Sequence, residues 1–109
     1  MAKQLFKKRP VDSFDTQTVL YLTGYSNYSR VHLLSGQVVV SSHSLKWFEH
    51  RWPSFLRTNK QALVNPAFVS QIKPARYTQS TSYVIMQDQA QVAISRRRVN
   101  RIQKQFRQL

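Results

Sequence analysis

The chain has 109 residues, 41% of them hydrophobic, which suffices for one compact domain with a modest core and not for two. Seventeen Lys and Arg face only four acids, a formal charge of +13 with a pI near 11.0, so a polyanion is the expected partner and an ordinary acid–base enzyme is disfavoured. Cysteine is absent, which removes disulfides and thiolate zinc sites. No apolar run approaches the roughly 20 residues of a spanning helix, and no signal-peptide stretch opens the chain, so a cytoplasmic protein without a membrane partner is expected.

Residues 1–17 are basic and then polar, with Pro10 and no sustained period. They read as a flexible arm whose Lys3, Lys7, Lys8 and Arg9 either touch phosphate or only solubilise the chain. The domain itself is taken as 18–109. Short β-branched and aromatic runs at Val19–Leu22, Tyr28–Leu34 and Val38–Val40 predict three strands, with a turn-rich loop at Gly24–Asn27. Ser35-Gly36 predicts a two-residue hairpin connection between the second and third strands.

Ser44 is an N-cap type residue, Leu45, Phe48 and Trp52 recur at helical spacing, and Pro53 ends the pattern, which predicts one short helix. An extended pattern resumes over Phe55–Val64, interrupted by the polar stretch Arg57-Thr58-Asn59-Lys60-Gln61, and Asn65-Pro66 predicts a turn. Val69–Tyr77 reads as a strand that Pro74 restricts to an edge or an end. Thr81–Gln87 and Gln91–Ile94 read as a last hairpin around Asp88-Gln89, which lacks the usual glycine. After Ser95, Val99, Ile102, Phe106 and Leu109 share one helical face. Many short strands with two small helices make a mainly β domain.

The acids are Asp12, Asp15, Glu49 and Asp88, too few and too scattered for a carboxylate metal site or a catalytic pair; Asp12 and Asp15 read as turn and strand-entry residues. His32, His43 and His50 have no zinc-motif spacing, and with glycine only at positions 24 and 36 neither a P-loop nor a dinucleotide fingerprint exists. No metal, cofactor or enzymatic activity is expected. What is present is two basic clusters, Arg57 to Gln61 and Arg96-Arg97-Arg98 with Arg101. Arg and Lys suit guanine O6 and N7, Asn and Gln suit adenine, and surplus basic groups neutralise phosphate. Trp47 and Trp52 read as packing residues beside the helix, whereas Tyr28 directly follows a turn-rich loop. Charge and aromatics alone suit a structural RNA-binding or ribosome-associated protein equally well.

Two motifs favour duplex DNA. Phe55 to Val69, with its basic stretch leading to Val64-Asn65, resembles the central signature of the LytTR family, and Val92-Ala93-Ile94-Ser95-Arg96-Arg97-Arg98-Val99 resembles its closing strand and Ser-Arg turn. The resemblance implies small antiparallel sheets in an elongated β-β-β sandwich that presents loops to successive major grooves of bent DNA. By matching positions it implies that Tyr28, Lys60 and Arg97 contact bases, and that Asn27, Asn59 and Asn100 reach a base or a phosphate. It further implies that Arg57, Arg96, Arg98 and Arg101 hold phosphates, while Asn65 fixes its local turn. The family often has histidine where Asn59 stands and serine where Gln61 stands. It also implies a transcriptional regulator resembling response regulators, binding promoter direct repeats as two copies and taking its input from a receiver or sensor domain or protein.

Overall fold

Alternating burial along Tyr28–Leu33 sends Val31 and Leu33 to one side of a strand and Tyr28, Arg30 and His32 to the other, the pattern of a half-covered sheet. The computed structural model describes residues 14–75 and 81–107. Its eight strands are β1 (Val19–Tyr25), β2 (Tyr28–Leu33), β3 (Val38–Ser41), β4 (Leu56–Asn59), β5 (Ala62–Val64), β6 (Val69–Lys73), β7 (Ser82–Met86) and β8 (Gln91–Ile94). They form a five-stranded sheet in the order β3-β2-β1-β5-β4 and a three-stranded sheet in the order β6-β7-β8, every pairing antiparallel. With α1 (Leu45–Arg51) and α2 (Val99–Arg107), the domain is mainly β, as expected.

The larger sheet lies between two cores. On one face Leu22, Val31, Val39 and Leu63 meet Leu45 and Phe48 of α1, with Phe55, Trp47 and Trp52 closing the rim. On the other, Leu56 and Val64 meet Val84, Met86 and Ile94 of the smaller sheet and Ile102 of α2. Ser44 caps α1 by accepting a hydrogen bond from the Trp47 N–H at 3.2 Å. Phe14, inside the segment read as an arm, is buried against Trp52 in an edge-on ring contact. The basic residues of that arm lie outside the described residues, as does Leu109 of the predicted apolar helix face.

Loop lengths differ from the sequence-based expectation. Between β2 and β3 the Leu33 N–H donates to the Gln37 carbonyl and encloses a three-residue turn, Leu34–Gly36, in which the Gly36 N–H donates to the Leu33 carbonyl and Gly36 takes φ +94°. The turn between β7 and β8 repeats this geometry over Gln87–Gln89, inside the Met86 N–H to Ala90 carbonyl bond, with Gln89 at φ +73°. The Gly24–Asn27 loop contracts to a Ser26-Asn27 turn because β1 continues through Tyr25, and the polar stretch from Arg57 is strand as far as Asn59. β6 stops at Lys73, before Pro74, and Tyr77 lies outside the described residues.

Candidate nucleic-acid interface

Three loops carry the residues singled out in the sequence. At the β1–β2 turn Tyr25 and Tyr28 are cross-strand partners, so their rings share the sheet face that α1 does not cover. They are 62% and 46% exposed, and the Arg30 guanidinium lies 4.8 Å from the Tyr25 ring centroid. Asn27 is exposed at the turn itself.

The β4–β5 turn is built by its own polar side chains. Arg57 donates from Nη1 to Glu49 Oε1 at 2.7 Å, from Nε to the Asn59 carbonyl at 2.8 Å and from Nη2 to the Lys60 carbonyl at 2.8 Å. Asn59 Oδ1 accepts from the Gln61 N–H at 2.6 Å, while Nδ2 donates to the Ala93 carbonyl of β8 at 2.6 Å. Arg57 and Asn59 are thus committed to shaping the loop. Lys60, at its tip, is exposed and has no side-chain partner among the described residues.

The third loop is a single 3-10 turn, Arg96–Arg98, closed by the Arg98 N–H on the Ser95 carbonyl at 2.9 Å. Arg96 and Arg97 are exposed and Arg98 is half-buried; Asn100 and Arg101 follow, exposed, in the first turn of α2. That turn contains no acidic residue. Four arginines therefore surround the positive end of a helix dipole, an arrangement that an external anion would relieve.

Hydrogen bonds join the loops edge to edge. The Gly24 N–H donates to the Gln61 carbonyl at 2.9 Å, linking the first hairpin to the β4–β5 turn. A Cβ on Gly24 would stand 2.9 Å from Gln61 Oε1 and 3.1 Å from Leu45 Cδ1, so a larger residue there would push aside the ends of both side chains. The Ser95 N–H donates to the Thr58 carbonyl at 2.9 Å, and with the Asn59–Ala93 bond this fastens the arginine turn to β4. Arg30 is the residue that sequence reasoning misses at this surface, and Tyr25, one of several aromatics open to a base-stacking or a packing reading, stands exposed beside it. The two-residue alternation of Tyr28 and Arg30 along β2 is the signal for Arg30, and the Tyr25–Tyr28 pairing brings Tyr25 to the same face.

The other acids among the described residues have local roles, and Asp12 lies outside them. Asp15 accepts from the Gln17 N–H, and Asp88 accepts from the Ala90 N–H and from Tyr21 Oη at 3.4 Å. Among the described residues no three His, Asp or Glu side chains gather where they could hold a metal, and no helix is long and apolar enough to cross a membrane. Asn65 does more than fix its turn. Besides accepting from the Ala67 N–H, it donates to the Thr16 and Val19 carbonyls, tying the chain entry to the β5 end.

Comparison with curated proteins gives no match. A solved structure, the LytTr DNA-binding domain of a protein described as a methyl-accepting/DNA response regulator from Bacillus cereus, shares the fold. Its TM-score is 0.74 at 22% identity, covering 95% of this chain and 97% of that one. The model of the LytTr DNA-binding domain family matches residues 12–107, nearly the whole sequence, and the two motifs described above fall inside that match on the hydrogen-bonded loops. The chain belongs to the LytTr DNA-binding domain family.

Proposed function

We propose that the domain binds double-stranded DNA sequence-specifically as a transcriptional regulator, its loops entering successive major grooves of a bent duplex. One observation carries this reading: Lys60 and Arg97 stand exposed and unpartnered, among the described residues, on two loops whose strands are hydrogen-bonded to each other. Basic tips on hydrogen-bonded loops can meet guanine O6 and N7 with the loop backbone already in place, so that only the side chains are ordered on binding. Tyr28 serves as the adjoining groove contact, and Asn27 and Asn100 reach a base edge or a phosphate.

Arg57 and Asn59 act chiefly by setting the loop on which Lys60 stands, and Arg96, Arg98 and Arg101 hold phosphates. Two copies occupy repeated half-sites. The response-regulator description of the Bacillus cereus protein supports an input from a receiver or sensor, in the same protein or a separate one. Selection of bound fragments from random duplex DNA at near-physiological salt tests the reading. A recurrent direct repeat is expected. Enrichment of no motif, or preference for structured RNA over the selected duplex in competition, overturns it.

A further inference from the structure

A notch of about 240 Å³ opens between the end of α1 and the first turns of α2. Phe55, which is buried, and Pro53 form its apolar wall. Arg57, Arg98 and Arg101 line it together with a single carboxylate, Glu49, which is already bonded to Arg57 at 2.7 Å. Arg57 is pinned further by the Asn59 and Lys60 carbonyls, so it contributes a fixed positive charge and little mobility. Arg98 is half-buried, and among the described residues its guanidinium has no acidic or carbonyl partner. A partly desolvated guanidinium that no internal acid offsets raises the potential of the notch above that of an exposed arginine.

The rim adds donors and no further acid. Gln105, half-buried on α2, and His50, exposed on α1, complete the lining. Among the described residues, two guanidinium forks, an amide and an imidazole there have no protein partner. They call for a compact anion with several acceptor oxygens that two arginines can share.

We propose that this notch is a phosphate-binding site: Arg98 and Arg101 are the direct ligands, His50 and Gln105 the rim donors, and Arg57 the fixed charge behind them. The site adjoins both loops that carry the proposed base contacts, because Arg57 also holds the Lys60 carbonyl and Arg98 closes the Arg97 turn. Resting on the duplex-DNA reading, it receives a backbone phosphate flanking the groove; a free phosphate group is the other source of the same chemistry.

Two arms of one experiment separate these sources. In the first, inorganic phosphate is titrated at constant ionic strength while the amide resonances of Arg98, Arg101 and Gln105 are followed. In the second, affinity is measured for selected duplexes carrying a neutral methylphosphonate at one position at a time. Each is run on the wild type, Arg98→Gln, Arg98→Lys and Gln105→Glu.

The expected result is one methylphosphonate position that weakens the wild type but not Arg98→Gln, whose log–log salt slope is flatter by about one. Arg98→Lys restores most of that slope, which separates lost charge from lost folding, and Gln105→Glu weakens all duplexes alike. Saturable shifts with inorganic phosphate, lost in Arg98→Gln, without any position-specific methylphosphonate effect, assign the site to a free phosphate group. Absence of both responses overturns the proposal. If the wild type binds no duplex selectively, the DNA reading fails by itself, and the phosphate titration still decides the notch.

Discussion

Lys60 and Arg97 differ from the basic residues around them in what their side chains already touch. Arg57 makes three hydrogen bonds within the molecule, so Arg57→Ala would disturb the β4–β5 turn as well as remove charge. Lys60 and Arg97 have no such internal role, so truncating them isolates contacts to a ligand. Lys60→Ala or Arg97→Ala is expected to reduce preference for the selected site by about 1–3 kcal/mol, roughly 5- to 150-fold, with little loss of general affinity. Arg101→Ala should weaken all sequences alike. Binding measured on selected and scrambled duplexes checks both, and a uniform loss for Lys60→Ala would reassign it to phosphate. Thr58 offers a test of the fold at the same scale. It shares the buried face of Leu56 in β4, and its hydroxyl has no hydrogen-bond partner among the described residues. A buried hydroxyl without a partner costs about 1–3 kcal/mol, so the near-isosteric Thr58→Val should stabilise by about 1 kcal/mol, raising Tm by about 4 °C. A fall in Tm would mean that the hydroxyl is bonded in solution.

Among elements, the two three-residue hairpins are a matched pair with one difference. Gly36 and Gln89 hold the same left-handed position, but only Gly36 does so without a Cβ penalty. Nothing lies within 4 Å of a Cβ built on Gly36, so Gly36→Ala costs backbone strain alone, about 1 kcal/mol. Gln89→Gly removes that strain and adds unfolded-state freedom, for a net gain of about 0.5–1 kcal/mol. Denaturant midpoints of both variants check the signs, and destabilisation by Gln89→Gly would show that its side chain contributes more than the strain removes. The hairpins also mark what is legible in the sequence. Strand positions follow from alternation such as Val31 and Leu33 against Arg30 and His32, and α1 follows from Ser44, Leu45, Phe48 and Pro53. The loop lengths are not legible, because a left-handed glutamine looks like any other turn glutamine until its hydrogen bonds are seen. Nor is the clasp of Asn59 on Ala93, 34 residues away, since it depends on how two sheets meet. The basic character of the loops is legible, but the division between Arg57 as a brace and Lys60 as a free tip needs the Glu49 contact.

Across the whole molecule, the face of the larger sheet opposite α1 meets the smaller sheet through a polar junction as well as through the apolar core. Tyr21 stacks on His32 with ring centroids 4.4 Å apart, His32 Nε2 lies 2.9 Å from Thr23 Oγ1, and Tyr21 Oη reaches Asp88 in the β7–β8 turn. Burial lowers the His32 pKa below its ordinary 6.5; Asp88 opposes the shift and Arg30 adds to it. Burial, then the Asp88 charge and hydrogen bond, raise Tyr21 above its ordinary 10.0. Between the lowered His32 pKa and 6.5 the unfolded chain binds more protons than the folded one. The His32 contribution is therefore full above 6.5 and lost as pH falls through the folded value. The Tyr21 contribution has the opposite sense, full below 10.0 and lost as pH rises through the raised value. Stability should accordingly be greatest between about pH 6.5 and 10, falling on either side. Acidification also protonates carboxylates and increases the self-repulsion of a chain already at +13, so the acid limb alone does not identify His32. His32→Gln, which keeps a polar side chain without a titration in this range, separates the two. Its Tm should decline less than that of the wild type between pH 7 and 5.5, and equal declines would place the acid sensitivity in the overall charge instead of the sheet junction.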